Sequence, residues 1–555
     1  MSIFLRHIFK RLAISKSRQS HFLRPPQLTS LETRINPAPL ITTFTVSNLN
    51  SSGAGSLAEA IGLANDTTNY PTNDTIVFAS SLFTNGPATI SLTGVLPAIA
   101  DATTAGTLTI TGPGANTLNI SGNNGNFSVF SVATGGFLFI SGVTVSGANT
   151  SGFGGAFNNA GVLTISTSTI SGNSATGGGA IFNQGTSLTI SESTISGNSA
   201  SGYGGGINNF SGGTISVSNS TISNNSATSG GAGIINTNST LTVSNSTLFG
   251  NTTPGIGGGI LNFAGTAVLT VLNSTLSGNS AGNSNFAGSN GGGIRNYATI
   301  NNLSNTIIAN SVRGGDFVGN TPTVSTNNLI TNGSLTGSSP VTSAQLNLGP
   351  LQDNGGPTFT MALGAGSVAI GTTAGTGTDQ RGINRTTNDI GAYSFGIQVT
   401  STADSGTGTL RSAITQAGST AGNDQISVNL TGSSPYTILL ASTLPITAEF
   451  GTVNITGLGA SNLTISGNNG NFSIFSIASL GNLFISGVTV TGVNTSGNGG
   501  AFNNSGTLTV SNSSLSGNTA SSGGGIWNSG ALAISNSTPP PPPPFAKNRL
   551  FLWFR

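Results

Sequence analysis

The chain has 555 residues, 83 of them Gly, with 35% hydrophobic residues, only 5% charged ones and no Cys. Ordinary soluble domains are about 25% charged. So little charge beside so much apolar content excludes ordinary disorder, and the absence of Cys excludes disulfides and zinc–thiolate sites.

The leader, residues 1–41, is basic: Arg6, Lys10, Arg11, Lys16, Arg18, Arg24 and Arg34 lie in it, with both His, His7 and His21. It has short apolar runs (Ile3–Leu5, Leu12–Ile14) but no clean apolar stretch of the about 7–15 residues that a secretory signal needs. It reads as a disordered or targeting segment and a poor Sec signal. Between residues 42 and 538 the chain carries five Arg (Arg295, Arg313, Arg381, Arg385, Arg411) against twelve acids, and no His or Lys. A nucleic-acid surface needs a basic stripe, and this body has none. A P-loop, a Ser-His-Asp triad, a Schiff-base Lys and a zinc-protease helix each need His or Lys and are excluded there. No run of about 20 apolar residues exists for a transmembrane helix.

The body opens with S-G-A-G-S-L-A-E-A-I from Ser52, a pattern that returns as S-G-T-G-T-L-R-S-A-I from Ser405. Both predict short capping helices, over Leu57–Ala64 and Leu410–Gln416, which would cover an open sheet edge. A shorter repeat then takes over. G-G-x-[I/F]-x-N and its variants end at Asn159, Asn183, Asn209, Asn236, Asn262 and Asn296, in steps of 24, 26, 27, 26 and 34. Between them [I/L]-S-G-N and its variants end at Asn173, Asn198, Asn225, Asn251, Asn279 and Asn310. S-N-S-T places Asn219, Asn245, Asn273 and Asn305 in register, with Thr167 and Glu192 at the same place in the first two units.

Each unit holds three short alternating runs, for example Ala180–Asn183, Ser187–Ser191 and Ser193–Asn198. Such β-branched runs bounded by Gly, Asn and Ser are strands. Three per unit suit one coil of a parallel β-helix, with inward Ile, Val and Leu stacked at about 4.8 Å. The fold class is therefore all-β: a right-handed parallel β-helix with short capping helices. Asn159, Asn183, Asn209, Asn236, Asn262 and Asn296 are expected to form one side-chain amide ladder. The longer step before Asn296 predicts a loop bulging out around Ala281–Ser289.

A larger duplication lies above the coils. Ser466–Gly500 matches Ser121–Gly155 at 27 of 35 positions. The chain reads as a full module over 42–395, with repeat coils at about 106–331, and a truncated second module over 396–538. After Thr538 come six prolines, Pro539–Pro544, and a basic aromatic tail with Phe551 and Trp553. Proline cannot join a strand ladder, so the β-helix is expected to stop there. Either a slipped reading frame or a weak interfacial anchor would account for the tail.

The G-G-[A/G]-I and F-x-N phrases resemble the repeats of polymorphic outer-membrane proteins and, more broadly, pectin-lyase-like right-handed β-helix proteins. Leu348–Tyr393 is similar to the end of the bacterial "choice-of-anchor Q" domain: L-G-P-L-Q-D-N-G-G-P-T, M-A-L-G-A-G-S-V-A-I, D-Q-R-G and D-I-G-A-Y. That family usually has Glu after the aromatic, where this chain has Ser394. Ser30–Ala38 resembles a leader motif of large bacterial surface proteins. The resemblance implies a secreted or cell-surface, outer-membrane-associated protein and does not fix an activity.

Few residues invite a chemical reading. Glu192 has no second acid at its stacked positions, as paired-carboxylate glycoside cleavage would need. Asp379, Arg381, Arg385 and Asp389, with Asp353, form the densest charge cluster. One reading is calcium plus Arg, as in lyases acting on uronates; the other is a buried Asp–Arg network closing the last coil. The second is adopted here, with no catalytic, cofactor or metal residue assigned. The Gly-rich corners lack the Asp of calcium-binding β-rolls. Phe153, Tyr203, Phe210, Phe263 and Tyr297 could make a sugar-stacking strip, though aromatics at such turns usually serve packing. The function expected is a non-catalytic structural or adhesive role, with surface glycans or other surface proteins as partners and no nucleic acid. The alternative is a β-helical polysaccharide lyase or hydrolase.

Overall fold

The computed structural model describes residues 42–538, apart from 67, 71–72, 101–105, 283–289, 355, 365, 372–375, 386, 419–422, 431 and 448–450. The leader and the tail after Thr538 thus lie outside the described residues. What is described is a parallel β-solenoid. Two sheets of 11 strands and one of 8 run along the first part of the chain. Face 1 starts at Thr42–Val46, face 2 at Ala88–Ser91 and face 3 at Phe130–Val132. Three further sheets, of 6, 5 and 4 strands, repeat the plan from Ile397 onward.

One coil shows how the sequence makes it. Ile181–Asn183 lies on face 3, Ser187–Ser191 on face 1 and Thr194–Ser196 on face 2. The three expected runs are these strands. A fourth strand, Ser199–Ala200, belongs to a ribbon of two-residue strands that the repeat did not announce. It is too short to show alternation.

Inward positions alternate with outward ones along each strand. Leu163, Leu188, Ile215, Leu241 and Leu269 stack in one column, Ile165, Ile190, Val217, Val243 and Val271 in the next, and all are fully buried. Each such side chain contributes about 1.5–3 kcal/mol.

The corners set the register. Gly178, Gly204, Gly231 and Gly257 all have φ between 59° and 72°, a region only Gly enters cheaply. A Cβ on the following Gly179 would also collide with the carbonyl of Gly205 in the next coil. The next corner is left-handed too: Thr167, Glu192, Asn219, Asn245, Asn273 and Asn305 have φ of 44–51°. Asn enters this conformation at little cost, Thr and Glu at a higher one. The S-N-S-T column is therefore a backbone feature. Its recurrent hydrogen bond is made by the following Ser: Ser193 N–H donates to Ser220 Oγ and Ser220 N–H to Ser246 Oγ, each at 3.2 Å, while at the end of the column Asn305 Nδ2 donates to Asn273 Oδ1 at 3.2 Å.

The expected amide ladder runs unbroken. Asn159 Nδ2 donates to Asn183 Oδ1 at 2.6 Å, Asn183 to Asn209 at 2.8 Å, Asn209 to Asn236 at 2.9 Å, Asn236 to Asn262 at 2.9 Å and Asn262 to Asn296 at 2.8 Å. A second ladder links Asn173, Asn198, Asn225, Asn251 and Asn279 at 2.9–3.0 Å. Asn310 turns out of that column and accepts from Ser343 Oγ instead. The long step before Asn296 does not disturb the first ladder. Ala281, assigned above to the bulge, is instead in a strand paired with Thr253; residues 283–289 of that expected loop lie outside the described residues.

Both expected helices are present, at Leu57–Ala64 and Leu410–Ala417, capped by Ser56 and Thr409 side chains. The duplication extends to packing detail. Phe130 stacks on Phe157 at 5.2 Å and 11°, and Phe475 on Phe502 at 5.1 Å and 11°. Asn504 Nδ2 donates to Asn528 Oδ1 at 2.5 Å, a rung equivalent to that between Asn159 and Asn183.

Two substitutions test these assignments. Asn209→Ala removes one acceptor and one donor from a fully buried ladder, so a loss of about 2–4 kcal/mol is expected in denaturant unfolding. Thr167→Asn relieves a β-branched residue in left-handed backbone, and a gain of about 1 kcal/mol is expected in the same experiment.

Candidate functional site

Charge concentrates in one place. The segment after the first solenoid forms an antiparallel hairpin, Leu348–Gln352 with Thr360–Leu363, and then a loop-rich stretch to Phe395. It lies along the outside of face 2. Gln380 is fully buried: its amide nitrogen Nε2 donates to Thr221 Oγ1 and Thr358 Oγ1, both at 2.9 Å, and its Oε1 accepts from Thr247 Oγ1 at 2.6 Å. Ala392 N–H donates to Thr275 Oγ1 at 3.0 Å. Thr221, Thr247 and Thr275 are successive outward residues of face 2.

Asp379, Arg381, Arg385 and Asp389 are all buried within this segment. Asp379 Oδ2 accepts from Arg381 Nη2 at 2.7 Å and Nε at 2.9 Å, and from Ser394 N–H at 2.9 Å. Its Oδ1 accepts the N–H groups of Arg381 and Ile383. Asp389 Oδ1 accepts from Gly371 N–H and Thr387 Oγ1, and its Oδ2 from Ser394 Oγ and Phe395 N–H. Both carboxylates are thus saturated by donors, which is what permits their burial.

The two guanidiniums are used differently. Arg381 stacks on Tyr393, 3.7 Å from the ring centroid, and donates to Ser394 O at 2.7 Å. Burial alone would lower its pKa, but Asp379, together with Tyr393, raises it. Arg385 makes no carboxylate pair: it donates to the carbonyls of Asp389 at 3.0 Å and Gly391 at 2.7 Å. Burial pulls its pKa down, against the charges of Asp379 and Asp389. Ser394 ties both acids together. Its N–H donates to Asp379 Oδ2 and its hydroxyl to Asp389 Oδ2 at 2.8 Å.

The network's location differs from the expected terminal closure of a coil. It runs along the flank of face 2 and reaches the next solenoid: Arg381 Nη1 donates to Gln425 Oε1, Asn384 N–H to Asn423 O at 2.7 Å, and Ile383 bridges to Asn423. Contacts over more than a hundred residues carry no local sequence signal, which is why the position was missed. Asp353, placed in the same cluster above, is exposed, unlike the four buried charges.

The remaining candidates lie on the solenoid surface. Glu192 is exposed at the left-handed corner beside face 1, with Thr167 and Asn219 in the neighbouring coils. Among the aromatics, Phe153 stacks on Phe182 at 4.7 Å and Phe182 on Phe210 at 6.5 Å. Phe263 meets Tyr297 edge-on at 5.7 Å, and Arg295 lies 4.2 Å over the Tyr297 ring. Phe153, Tyr203, Phe210, Phe263 and Tyr297 all remain 41–49% exposed. Phe182, which completes the stack, falls at the variable position of G-G-x-[I/F]-x-N and was not singled out. Among the described residues no group of three or more acidic, His or Cys side chains could hold a metal ion, and no helix is long and apolar enough to cross a membrane.

No family model matches the chain, and no curated protein matches it. Among solved structures it is similar to the PL6-family alginate lyase AlyGC, with 14% identity over 89% of this chain and 80% of that one, at a TM-score of 0.20. An arginine-to-alanine variant of AlyGC matches with the same identity and coverage, at a TM-score of 0.24. At these scores the likeness carries no argument about this chain.

Arg381→Met would leave Asp379 buried without its cation. Removing one partner of a buried pair costs about 3–5 kcal/mol. The expected result is an early unfolding transition in calorimetry and new protease cleavage within residues 348–395, with the ladders of the first solenoid retained.

Proposed function

We propose that this chain is a non-catalytic repeat protein of the bacterial cell surface or exterior, with a structural or adhesive role. The observation that supports it best is the state of the Asp379–Arg381–Arg385–Asp389 network. Every carboxylate oxygen there is engaged by protein donors, and both guanidiniums are buried against carbonyls or Asp379. None of the four presents a free functional group to a substrate. The outward positions of face 1 over residues 162–272 carry mostly Ser and Thr and no charge. The repeats are read as the polymorphic outer-membrane type and Leu348–Tyr393 as a choice-of-anchor Q-like segment, which fits export. Surface glycans or other surface proteins are the proposed partners. The competing reading is a β-helical polysaccharide lyase or hydrolase.

Two measurements separate these readings. Purified protein incubated with uronate polymers, with and without calcium, is expected to release no unsaturated or shortened products; turnover by the unmodified chain would establish the enzyme. Protease added to intact cells is expected to degrade the body, followed with an antibody against it. Full protection until the cells are lysed would remove the surface role.

A further inference from the structure

Face 1 carries a feature that neither the ladders nor the buried charges use. Over the strands Val162–Ser166, Ser187–Ser191, Thr214–Ser218, Thr240–Ser244 and Val268–Leu272 the register is unbroken. The outward residues fall into three columns. The central one is Thr164, Thr189, Ser216, Thr242 and Thr270. One flank reads Val162, Ser187, Thr214, Thr240 and Val268, and the other Ser166, Ser191, Ser218, Ser244 and Leu272. The patch has natural borders. Phe137 and Phe139 are exposed on the strand before it, and a register shift between Leu269 and Thr270 disturbs the pairing after it.

Three properties set this patch apart. No charged residue lies in these five strands, and Glu192 stands only at the rim. Unlike the ladder Ser168, Ser193, Ser220 and Ser246, the side-chain hydroxyls of the central column make no hydrogen bond to another described residue, which leaves them for water. Their positions are also fixed in two directions. Coils repeat at about 4.8 Å, and alternate residues along a strand at about 6.6 Å. Thr is stiff at χ1, so the four Thr of the central column keep their hydroxyls and methyls to few orientations.

We propose that this patch binds a crystalline water surface, that is, ice. The oxygen rows on the faces of hexagonal ice repeat on the same scale in both directions. Fixed hydroxyls would anchor waters at lattice positions, and the methyls between them would leave those waters no competing partner. An ion in the patch would hold its own hydration shell and break that order; an uncharged lattice meets an uncharged face. The inference does not rest on the adhesive reading.

The test uses the full chain in ice-recrystallisation and thermal-hysteresis assays. The wild type is expected to halt grain growth and to partition into a slowly grown ice front. Thr189→Lys and Thr242→Lys should abolish both effects while circular dichroism and melting stay those of the wild type. Thr189→Val, which keeps the shape and removes one hydroxyl, should weaken them. Val312→Lys, in an exposed loop away from the patch, should leave them intact. A wild type without effect on ice overturns the proposal. So does activity that survives both Lys variants, which would place the ice contact elsewhere. A wild type inactive on ice but dimeric in sedimentation, and made monomeric by Thr189→Lys, would assign the face to a second copy instead.

Discussion

A parallel strand satisfies its backbone only when the next coil presents a strand at the same height, in the same register and of the same length. Every other feature of this chain follows from that demand. The corners must turn the same way in each coil, so Gly recurs at the first and left-handed Asn at the second. The fully buried ladder Asn cannot reach bulk water, so they find partners one coil above and one below. Asn and Ser do this because they carry donor and acceptor on one short side chain.

The same demand explains how much could be read from the chain. The amide ladder was legible because its Asn recur after the same Gly-rich phrase, and periodic contacts write periodic sequence. The helices at Leu57 and Leu410 were legible because capping Ser and Thr precede an apolar stripe. The Asn219 column was recognised but its main physical role was not: φ is set by the corner, and the neighbouring Ser makes the recurrent bond. The two-residue ribbon was silent because two residues have no period.

The charge cluster shows the other limit. Its membership was legible for Asp379, Arg381, Arg385 and Asp389, since buried charges in a charge-poor chain must answer one another. Its place was not. Gln380 meets Thr221 and Thr247 across a long stretch of chain, and nothing local in D-Q-R-G points there. Asp353, grouped with the four charges from the sequence, does not share their burial. Sequence proximity ranks residues for a site; only packing decides which of them enter it.

The Asn159-to-Asn296 ladder has a direction. Each amide gives its hydrogen to the coil that follows and accepts from the coil that precedes. The first rung's oxygen takes the Gly161 N–H, and the last rung's nitrogen finds the Asn320 carbonyl. Hydrogen bonds chained in this way polarise one another in the same sense. An inserted coil that carries the same Asn would bring one donor and one acceptor and leave no orphan on either side. A deleted coil would let its neighbours close up equally well. The number of coils is therefore nearly free of energetic consequence for the ladder. Duplication or loss of a repeat at the level of DNA could change the length of such a protein in whole-coil steps, without passing through an unfolded ancestor.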